Sequence, residues 1–248
     1  MKVVSFFSAK GGTCKTTMNM LFASFLKYHL GKRVIVLDFD SPEFNLSNTR
    51  KRELLFAEDK DMPLDVHSLY PIHEVDEESA RNTKDILEFI EDVRPAMDFL
   101  VLDFGGSFVP SDIVCRLVMQ HAIDLMVIPV EMDGMIIASA KALAWTLQEM
   151  GQQTLLFFNK VHGREKPQLY DALEDWFKGK GVNISPNRVK NALNVRRDSD
   201  NGSNFVRSSV VFPLKDIRAH NPGILNLFEE VAGHDEMEKT EKTARGRR

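Results

Sequence analysis

The chain has 248 residues, of which 43% are hydrophobic and 27% charged, and its formal net charge is −4. This composition is ordinary for a globular protein and excludes disorder of the whole chain. It also excludes a strongly basic protein that binds nucleic acid through bulk charge, although a local basic patch is compatible with it. The length suits one large α/β domain or two small ones.

Cysteine content and hydropathy exclude further classes. The two cysteines, Cys14 and Cys115, form neither a disulfide framework nor a recognisable zinc-binding pattern. The apolar run after Met1 is too short for a signal peptide and is expected to form a strand. No stretch reaches the roughly 18 apolar residues that a membrane-spanning helix needs. We therefore expect a cytoplasmic protein.

Five nearly continuous apolar runs recur along the chain, and helical patterns separate them. Such runs are typical of parallel strands that are covered on both faces. The predicted strands are residues 3–8, 33–38, 98–103, 124–130 and 154–159. The predicted helices are residues 15–29, 83–93, 111–121, 133–150, 167–178 and 222–232. This alternation predicts an α/β fold, a doubly wound and mostly parallel sheet with helices on both faces, in which ligands bind beyond the carboxyl ends of the strands.

Two segments fall outside this alternation. Residues 57–82 are acidic and weakly periodic, and we expect a surface excursion there with room for a short helix. Residues 233–248 are polar with a basic end, and we expect a disordered tail. The prediction is therefore a single domain over residues 1–232, followed by the tail.

The segment K-G-G-T-C-K-T-T, residues 10–17, lies between the first predicted strand and the first helix. Phosphate-binding loops lie between a strand and the helix that follows it, because N–H groups at the start of a helix bind phosphate oxygens. Lys15 is placed to reach the β- and γ-phosphates, and the Thr16 hydroxyl to ligate Mg²⁺. Gly11 and Gly12 allow the backbone to approach the ligand closely. A glycine-containing turn with a chance lysine is the plainer alternative.

The same segment resembles the deviant Walker A box of the ParA/MinD family of ATPases, K-G-G-x-G-K-[ST]. The family accepts residues other than glycine at the position of Ala9, but has glycine at the position of Cys14. The resemblance implies that Lys10 contacts nucleotide phosphates, often across a dimer interface. Cys14 would crowd the phosphates or shift the loop, unless its small side chain packs against the sheet. The implied nucleotide-binding residues of the loop are Lys10, Gly11, Gly12, Thr13, Cys14, Lys15, Thr16 and Thr17.

The second predicted strand ends in L-D-F-D-S-P-E, which resembles the first switch motif of the family, D-x-D-P-Q. Asp38 and Asp40 match this motif, Ser41 is additional, and Glu43 stands where glutamine is usual. The resemblance implies that Asp40 positions or activates the attacking water, and that Asp38 acts close to Mg²⁺. Taken alone, the two aspartates also fit the capping of a turn.

The third predicted strand ends in F-L-V-L-D-F-G-G, which has the form of a Walker B motif. The resemblance implies that Asp103 binds Mg²⁺ through a water molecule. Gly105 and Gly106 would then form the second switch, whose backbone N–H groups sense the γ-phosphate. We expect this loop to become ordered when ATP binds.

Candidates for binding the base are Asn159, Phe212 and Pro213. Asn159 resembles the family residue that reads adenine, although an asparagine that only closes a turn fits equally well. The segment N-F-V-R-S-S-V-V-F-P-L resembles an F-R-S-T segment of ParA proteins from plasmids and conjugative elements. Its matching residues are Phe205, Arg207, Ser208 and Ser209. Base contacts around Phe212 and Pro213 are a further expectation.

ParA relatives bind DNA nonspecifically as ATP-bound dimers, through basic residues on a C-terminal face. The corresponding residues here either form such a patch or are an ordinary solvated surface. They are Arg188, Lys190, Arg196, Arg197, Arg207, Lys215 and Arg218.

Membrane docking as in MinD needs large apolar residues in a C-terminal helix, and after Val231 the chain offers only Met237, so no membrane partner is expected. A nitrogenase iron protein needs two ligand cysteines per subunit, in the switch region and the preceding loop. Cys14 lies inside the phosphate loop instead, so that role is not expected.

The resemblance therefore predicts a ParA-like ATPase that uses ATP and Mg²⁺. ATP would close a homodimer that binds DNA, and a ParB-like or transfer-system activator would stimulate hydrolysis during partition, maintenance or conjugative transfer of a mobile DNA element. One alternative is a nucleotide-dependent binding module with weak or no hydrolysis because of Cys14. Another is an ATPase that positions a protein cargo. The implied catalytic residues are Lys10, Lys15 and Asp40, and the implied metal-binding residues are Thr16, Asp38 and Asp103.

Overall fold

The computed structural model describes residues 1–61, 64–109, 111–191 and 208–245, with side chains up to Gly233. Within these residues, parallel strands form one sheet in the order β3-β2-β4-β1-β5-β6. The strands are β1 (Lys2–Phe6), β2 (Val34–Asp38), β3 (Ile72–Glu74), β4 (Phe99–Asp103), β5 (Leu125–Val130) and β6 (Thr154–Phe158). The predicted α/β fold with a parallel sheet is therefore confirmed.

The helices alternate with these strands. They are α1 (Lys15–Ser24), α2 (Asn45–Asp59), α3 (Glu77–Arg81), α4 (Thr83–Val93), α5 (Ile113–Met119), α6 (Gly134–Glu149), α7 (Pro167–Gly179), α8 (Leu214–His220) and α9 (Pro222–Arg245). A π-helical turn, Phe25–His29, continues α1 to the end that the sequence predicts. Gly31 follows with φ of +65°, a conformation in which a Cβ would be strained.

Each face of the sheet carries its own apolar core. Successive side chains of a strand point to opposite faces, so Val4 and Phe6 of β1 enter one core while Val3 and Phe7 enter the other. The first core is closed by α1, α8 and α9, and the second by α4, α5, α6 and α7. No helix in the described part of the chain combines the length and the hydropathy needed to span a bilayer.

Three elements lie where the sequence predicts no regular structure. β3 falls inside the segment predicted as a surface excursion. This edge strand is only three residues long and mostly exposed, so it lacks the apolar run that predicts a buried strand. The buried face of α2 includes Ser47, Arg50 and Glu53, so an apolar period cannot reveal this helix. The third element, α8, is only seven residues long and buries little apolar surface besides Ile217.

The last helix, α9, crosses the predicted boundary between domain and tail. It continues beyond residue 232 to Arg245, through the segment expected to be disordered. Glu and Lys are frequent in this segment and have high helix propensity, which composition-based expectations of disorder do not weigh. The division into a domain of residues 1–232 and a tail stays a prediction.

Candidate active site

The carboxyl ends of β1, β2 and β4 lie side by side and carry the predicted site. Asp38 ends β2 and pairs in register with Asp103 at the end of β4. β1 lies on the other side of β4 and leads into the loop of residues 7–14. The topology therefore brings the loop and both aspartate motifs to one edge of the sheet.

The loop between β1 and α1 folds around its own carbonyl groups. The Thr13 hydroxyl donates to the Lys10 carbonyl at 3.3 Å, and Lys15 Nζ donates to the same oxygen at 3.4 Å. Gly12 has φ of +77°, in the left-handed region that favours glycine. Lys10 itself is exposed. Lys10, Gly12 and Lys15 thus lie together as predicted, and their contacts with phosphate stay a prediction.

Cys14 directly precedes α1 and has φ of +67°. A side chain in this left-handed conformation costs about 1–2 kcal/mol relative to glycine, which accounts for glycine in the related motif. The half-buried side chain packs against the apolar core on the α1 face of the sheet. This contact agrees with the alternative in which a small side chain packs against the sheet.

Asp103 is completely buried and holds one oxygen without a partner. Asn19 Nδ2 donates to its Oδ1 at 2.8 Å, and the Thr16 side chain also hydrogen-bonds to the carboxyl group. Among the described residues, Oδ2 has no hydrogen-bond partner. Burial, together with the nearby charge of Asp38, raises the pKa of Asp103 to about 7, although the two hydrogen bonds oppose the shift. Such a group is poised to exchange its proton for a cation.

These residues fit a magnesium ion. A buried oxygen without a donor costs about 1–3 kcal/mol, which a metal-bound water would recover. The described residues contain no group of three His, Cys, Asp or Glu that could enclose a metal. Mg²⁺ does not need one, because it keeps several waters and uses few protein ligands together with substrate phosphates. Thr16 and Asp103 would hold the ion, and the ion would supply positive charge to offset that of the phosphates.

Asp38 is buried and already has its hydrogen bonds. Its Oδ2 accepts from both the backbone N–H and the hydroxyl of Ser47, each at 2.9 Å, and its Oδ1 accepts from the Asp40 N–H at 3.2 Å. Burial raises the pKa of Asp38, and the hydrogen bonds from Ser47 and Asp40 oppose the shift. The carboxylate therefore anchors the first turn of α2 and the backbone of Asp40, while its action close to Mg²⁺ stays a prediction.

Asp40 reaches the same space from the loop after β2. Asn45 Nδ2 donates to its Oδ2 at 2.9 Å, while a Cβ added at Gly105 would lie 3.3 Å from its Oδ1. Burial lowers the pKa of Lys15, and the charges of Asp103 and Asp40 oppose this shift. The implied catalytic pair Lys15 and Asp40 is therefore brought together, and the role of Asp40 toward water stays a prediction.

Gly106 lies directly against the loop. A Cβ added to Gly106 would be 3.3 Å from Lys15 Nζ and 4.0 Å from Gly11 N. The predicted second switch therefore lies against the loop, and its role in sensing the γ-phosphate stays a prediction.

Asn159 lies at the end of β6 and touches the loop. It is buried, its Nδ2 donates to the Thr13 carbonyl at 3.0 Å, and its Oδ1 accepts from the Lys160 N–H at 2.9 Å. Lys160 Nζ donates to the Gly12 carbonyl at 2.5 Å and forms an ion pair with Glu131. The predicted contact of Asn159 with adenine stays a prediction.

Other predicted binding residues lie away from this edge. Phe212 is buried in the core, where its ring packs edge-on against Phe25 at 5.3 Å. Phe25 is ten residues along the helix from Lys15, a distance of about 15 Å. Pro213 adjoins Phe212 at the start of α8. The structure therefore places neither of them at the loop.

The segment around Ser208 and Ser209 is buried instead of lining the site. The Ser209 carbonyl accepts from Arg50 Nη2 at 2.7 Å and from the Tyr28 hydroxyl at 2.9 Å, and the Ser209 hydroxyl also bonds to Glu53. The two other matches of this motif, Phe205 and Arg207, lie outside the described residues. The described part of the motif joins α1 and α2 to the chain that leads into α8.

Sequence reasoning did not identify Asn19, Ser47 and Lys160. Asn19 is a buried amide four residues after Lys15, on an otherwise apolar helix face, which is a detectable signal. Lys160 directly follows Asn159, but its contact with Gly12 depends on how β6 is positioned. Ser47 has no such signal, since its partner Asp38 precedes an unpredicted helix.

Comparison with known proteins decides the family. The profile described as ATPase MipZ matches residues 2–177. The chain belongs to the MipZ family of ATPases. This family lies within the ParA/MinD group, and its members are phosphate-loop ATP hydrolases, so the predicted family and enzyme class are confirmed. No curated protein sequence gives a significant match.

Solved structures of the group share the fold. The MinD cell division protein of Aquifex aeolicus has 17% identity and a TM-score of 0.61, covering 94% of this chain and 98% of its own. The pNOB8 ParA bound to nonspecific DNA has 15% identity and a TM-score of 0.60, with 95% and 98% covered. A plasmid partition protein of Borrelia burgdorferi B31 bound to AMPPNP has 15% identity and a TM-score of 0.60, with 92% and 98% covered. At these identities the likeness shows the fold alone.

Proposed function

We propose that this MipZ-family ATPase is an ATP-dependent dimer that binds DNA nonspecifically and supports partition, maintenance or transfer of a mobile DNA element. The observation that carries the nucleotide part is the Oδ2 of Asp103, which lies beside Thr16 and Lys15 and has no hydrogen-bond partner within the described part of the chain. It supports a site for a Mg²⁺–nucleotide complex. The exposed Lys10 supports a contact made across a dimer, as the resemblance implies.

The proposed DNA-binding face, which we call the α8 patch, consists of Lys190, Lys215 and Arg218. Lys215 and Arg218 are exposed on the same side of α8, three residues apart. Lys190 is also exposed and lies beside the end of α8, because its N–H and carbonyl both bond to the Asn221 side chain. The likeness to a ParA solved with nonspecific DNA supports this assignment.

The remaining sequence candidates do not belong to the α8 patch. Arg188 Nη2 pairs with Asp171 at 2.5 Å, and its Nε bonds to Glu174 at 2.8 Å. Its charge is therefore used inside the protein. Arg196, Arg197 and Arg207 lie outside the described residues.

The DNA role is tested by fluorescence anisotropy with a labelled duplex of arbitrary sequence at two salt concentrations. In the presence of AMPPNP we expect the affinity to fall steeply as salt rises, because binding releases counterions. The double variant Lys215→Ala/Arg218→Ala should weaken binding and reduce the salt slope. The matched control is Lys178→Ala/Lys180→Ala, at the end of α7 and directly after it, across the sheet from α8. Absence of binding at low salt would remove the DNA role.

The alternative of a non-hydrolysing module rests on Cys14. We infer that the wild type hydrolyses ATP, since the thiol packs against the core. Relief of backbone strain in Cys14→Gly should tighten nucleotide binding and raise the rate. If the wild type closes a dimer with ATP but releases no phosphate, with or without DNA, then the enzyme role fails and the binding module remains.

A second candidate is an ATPase that positions a protein cargo. The matching family profile and the likeness to MinD, a cell division protein, support it. It predicts the same ATP-dependent dimer with no salt-dependent binding to duplex DNA. The anisotropy experiment therefore separates the two functions.

A further inference from the structure

The two residues directly after β6 donate hydrogen bonds to two consecutive carbonyl groups of the phosphate loop. Lys160 Nζ donates to the Gly12 carbonyl at 2.5 Å, and Asn159 Nδ2 donates to the Thr13 carbonyl at 3.0 Å. Neither contact was expected from the sequence. Both join the loop to a strand that is separated from β1 by β5.

These contacts determine which way the loop amides face. In a trans peptide, the carbonyl and the following N–H point in opposite directions. The peptide bonds from Gly12 to Cys14 are trans. Holding the Gly12 carbonyl toward β6 turns the Thr13 N–H away from β6, and holding the Thr13 carbonyl does the same for the Cys14 N–H. Among the described residues, neither N–H donates to a backbone or side-chain acceptor.

Asn159 and Lys160, which bond to the loop carbonyls, are themselves held in place by their neighbours. Lys160 has φ of +53°, a left-handed conformation that costs a lysine free energy and must be maintained by its surroundings. The Asn159 Oδ1 accepts from the Lys160 N–H, and Glu131 at the end of β5 pairs with the Lys160 ammonium group. The two paired side chains are each only 16% exposed, so the ion pair is poorly screened by solvent.

We propose that Lys160 and Asn159 are positioning residues, which hold the carbonyls of Gly12 and Thr13 outward so that the N–H groups of Thr13 and Cys14 are aimed at nucleotide phosphate oxygens. Glu131 keeps the Lys160 ammonium in place. The inference rests on ATP binding by this loop. It assigns Asn159 to the phosphate end of the site, since both ends of its amide are already bonded there.

The direct test compares ATP with inorganic tripolyphosphate, which carries the phosphates without a base. Each dissociation constant is measured by displacement of a fluorescent ADP analogue. Loss of a charge-assisted contact that orders an amide should weaken binding about tenfold. We expect Lys160→Met and Asn159→Ala to weaken ATP and tripolyphosphate by the same factor. An adenine-reading Asn159 would instead leave tripolyphosphate binding unchanged in Asn159→Ala, which would overturn its assignment.

Two controls separate positioning from a merely structural role. Lys160→Arg keeps a donor that reaches the Gly12 carbonyl and should recover most of the affinity lost in Lys160→Met, whereas Lys166→Met, an exposed neighbour on the same segment, should behave as wild type. Amide resonances of Thr13 and Cys14 should shift downfield when nucleotide binds to the wild type, and much less in Lys160→Met. Unchanged shifts and affinities in a folded Lys160→Met protein would overturn the proposal. Failure of the wild type to bind ATP would instead contradict the nucleotide site as a whole.

Discussion

The ends of β2 and β4 carry the same residue at paired positions, and the chain uses them differently. Asp38 and Asp103 are both completely buried and lie in register on neighbouring strands. Asp38 accepts three hydrogen bonds from its own loop and from the first turn of α2. Asp103 accepts from Asn19 and Thr16 on α1, and its Oδ2 has no partner among the described residues.

The difference shows that the residues facing a buried carboxylate decide its use. A hydroxyl and an N–H of Ser47 close one side of Asp38, so that carboxylate stabilises a helix start. No donor closes the Oδ2 of Asp103 within the described residues, so that carboxylate remains available to a ligand. Asp38 therefore stabilises the fold and also positions the Asp40 backbone. Asp103, in contrast, keeps one oxygen that a ligand in the site could bind.

The largest expected effect is on catalysis. Asp103→Asn should lower the rate of ATP hydrolysis about 10- to 100-fold, because the partner of metal-bound water loses its charge. Unfolding at pH 8 should show equal or greater stability, because a buried charge has been removed. Steady-state phosphate release and urea unfolding measure the two quantities. A variant that is fully active would show that Oδ2 does not serve the ligand.

Asp38→Asn should have its main effect on stability. The amide replaces one acceptor with a donor that faces an N–H of Asp40 or Ser47, at a cost of about 1–3 kcal/mol. Urea unfolding of this variant and of Asp103→Asn under the same conditions is the comparison. An equal loss in both variants would contradict the distinction between the two carboxylates.

The pH dependence of stability should separate the two sites further. The Asp103 pKa is about 7 in the folded protein, against about 3.9 in an unfolded chain. Between these values the folded state holds a proton that the unfolded state has lost, so this contribution is full below the unfolded pKa and disappears as pH rises through 7. Urea unfolding in EDTA should therefore give a wild-type stability that falls relative to Asp103→Asn from pH 4 to about 7. Parallel curves would be inconsistent with a raised pKa.

The smallest expected effect concerns Ser47. Ser47→Ala removes the hydroxyl donor to Asp38 but keeps the N–H, and it should cost about 1 kcal/mol with little change in nucleotide affinity. Ser68→Ala is the control, because the Ser68 hydroxyl is exposed and bonds only to a neighbouring carbonyl. If Ser47→Ala loses no more stability to urea than Ser68→Ala, the hydrogen bond from the Ser47 hydroxyl to Asp38 does not stabilise the start of α2.

Much of the fold follows from the sequence because the central strands are continuously apolar. Runs such as F-L-V-L-D, which forms β4, predict a buried strand and an aspartate at its carboxyl end. The loop motif is read from local spacing, since Lys10, Gly12 and Lys15 act within one short segment. The family and the position of the site could therefore be predicted.

What could not be predicted depends on contacts between distant residues. The buried face of α2 is polar because Arg50 and Glu53 bond to Ser209, and no local period reveals a helix of that kind. Asn159 shows the same limit, since its contact with Thr13 requires β6 to stand two strands from β1. Motif matching predicts a contact of this residue with the base, which stays a prediction, and does not reveal its contact with the loop.

Control of DNA binding by nucleotide is the central claim, and sedimentation velocity with a labelled nonspecific duplex tests it most directly. With AMPPNP and Mg²⁺ we predict that the protein sediments as a dimer together with the duplex. With ADP we predict a monomer and free duplex. A monomer in both states, or the same DNA association with either nucleotide, would contradict the account.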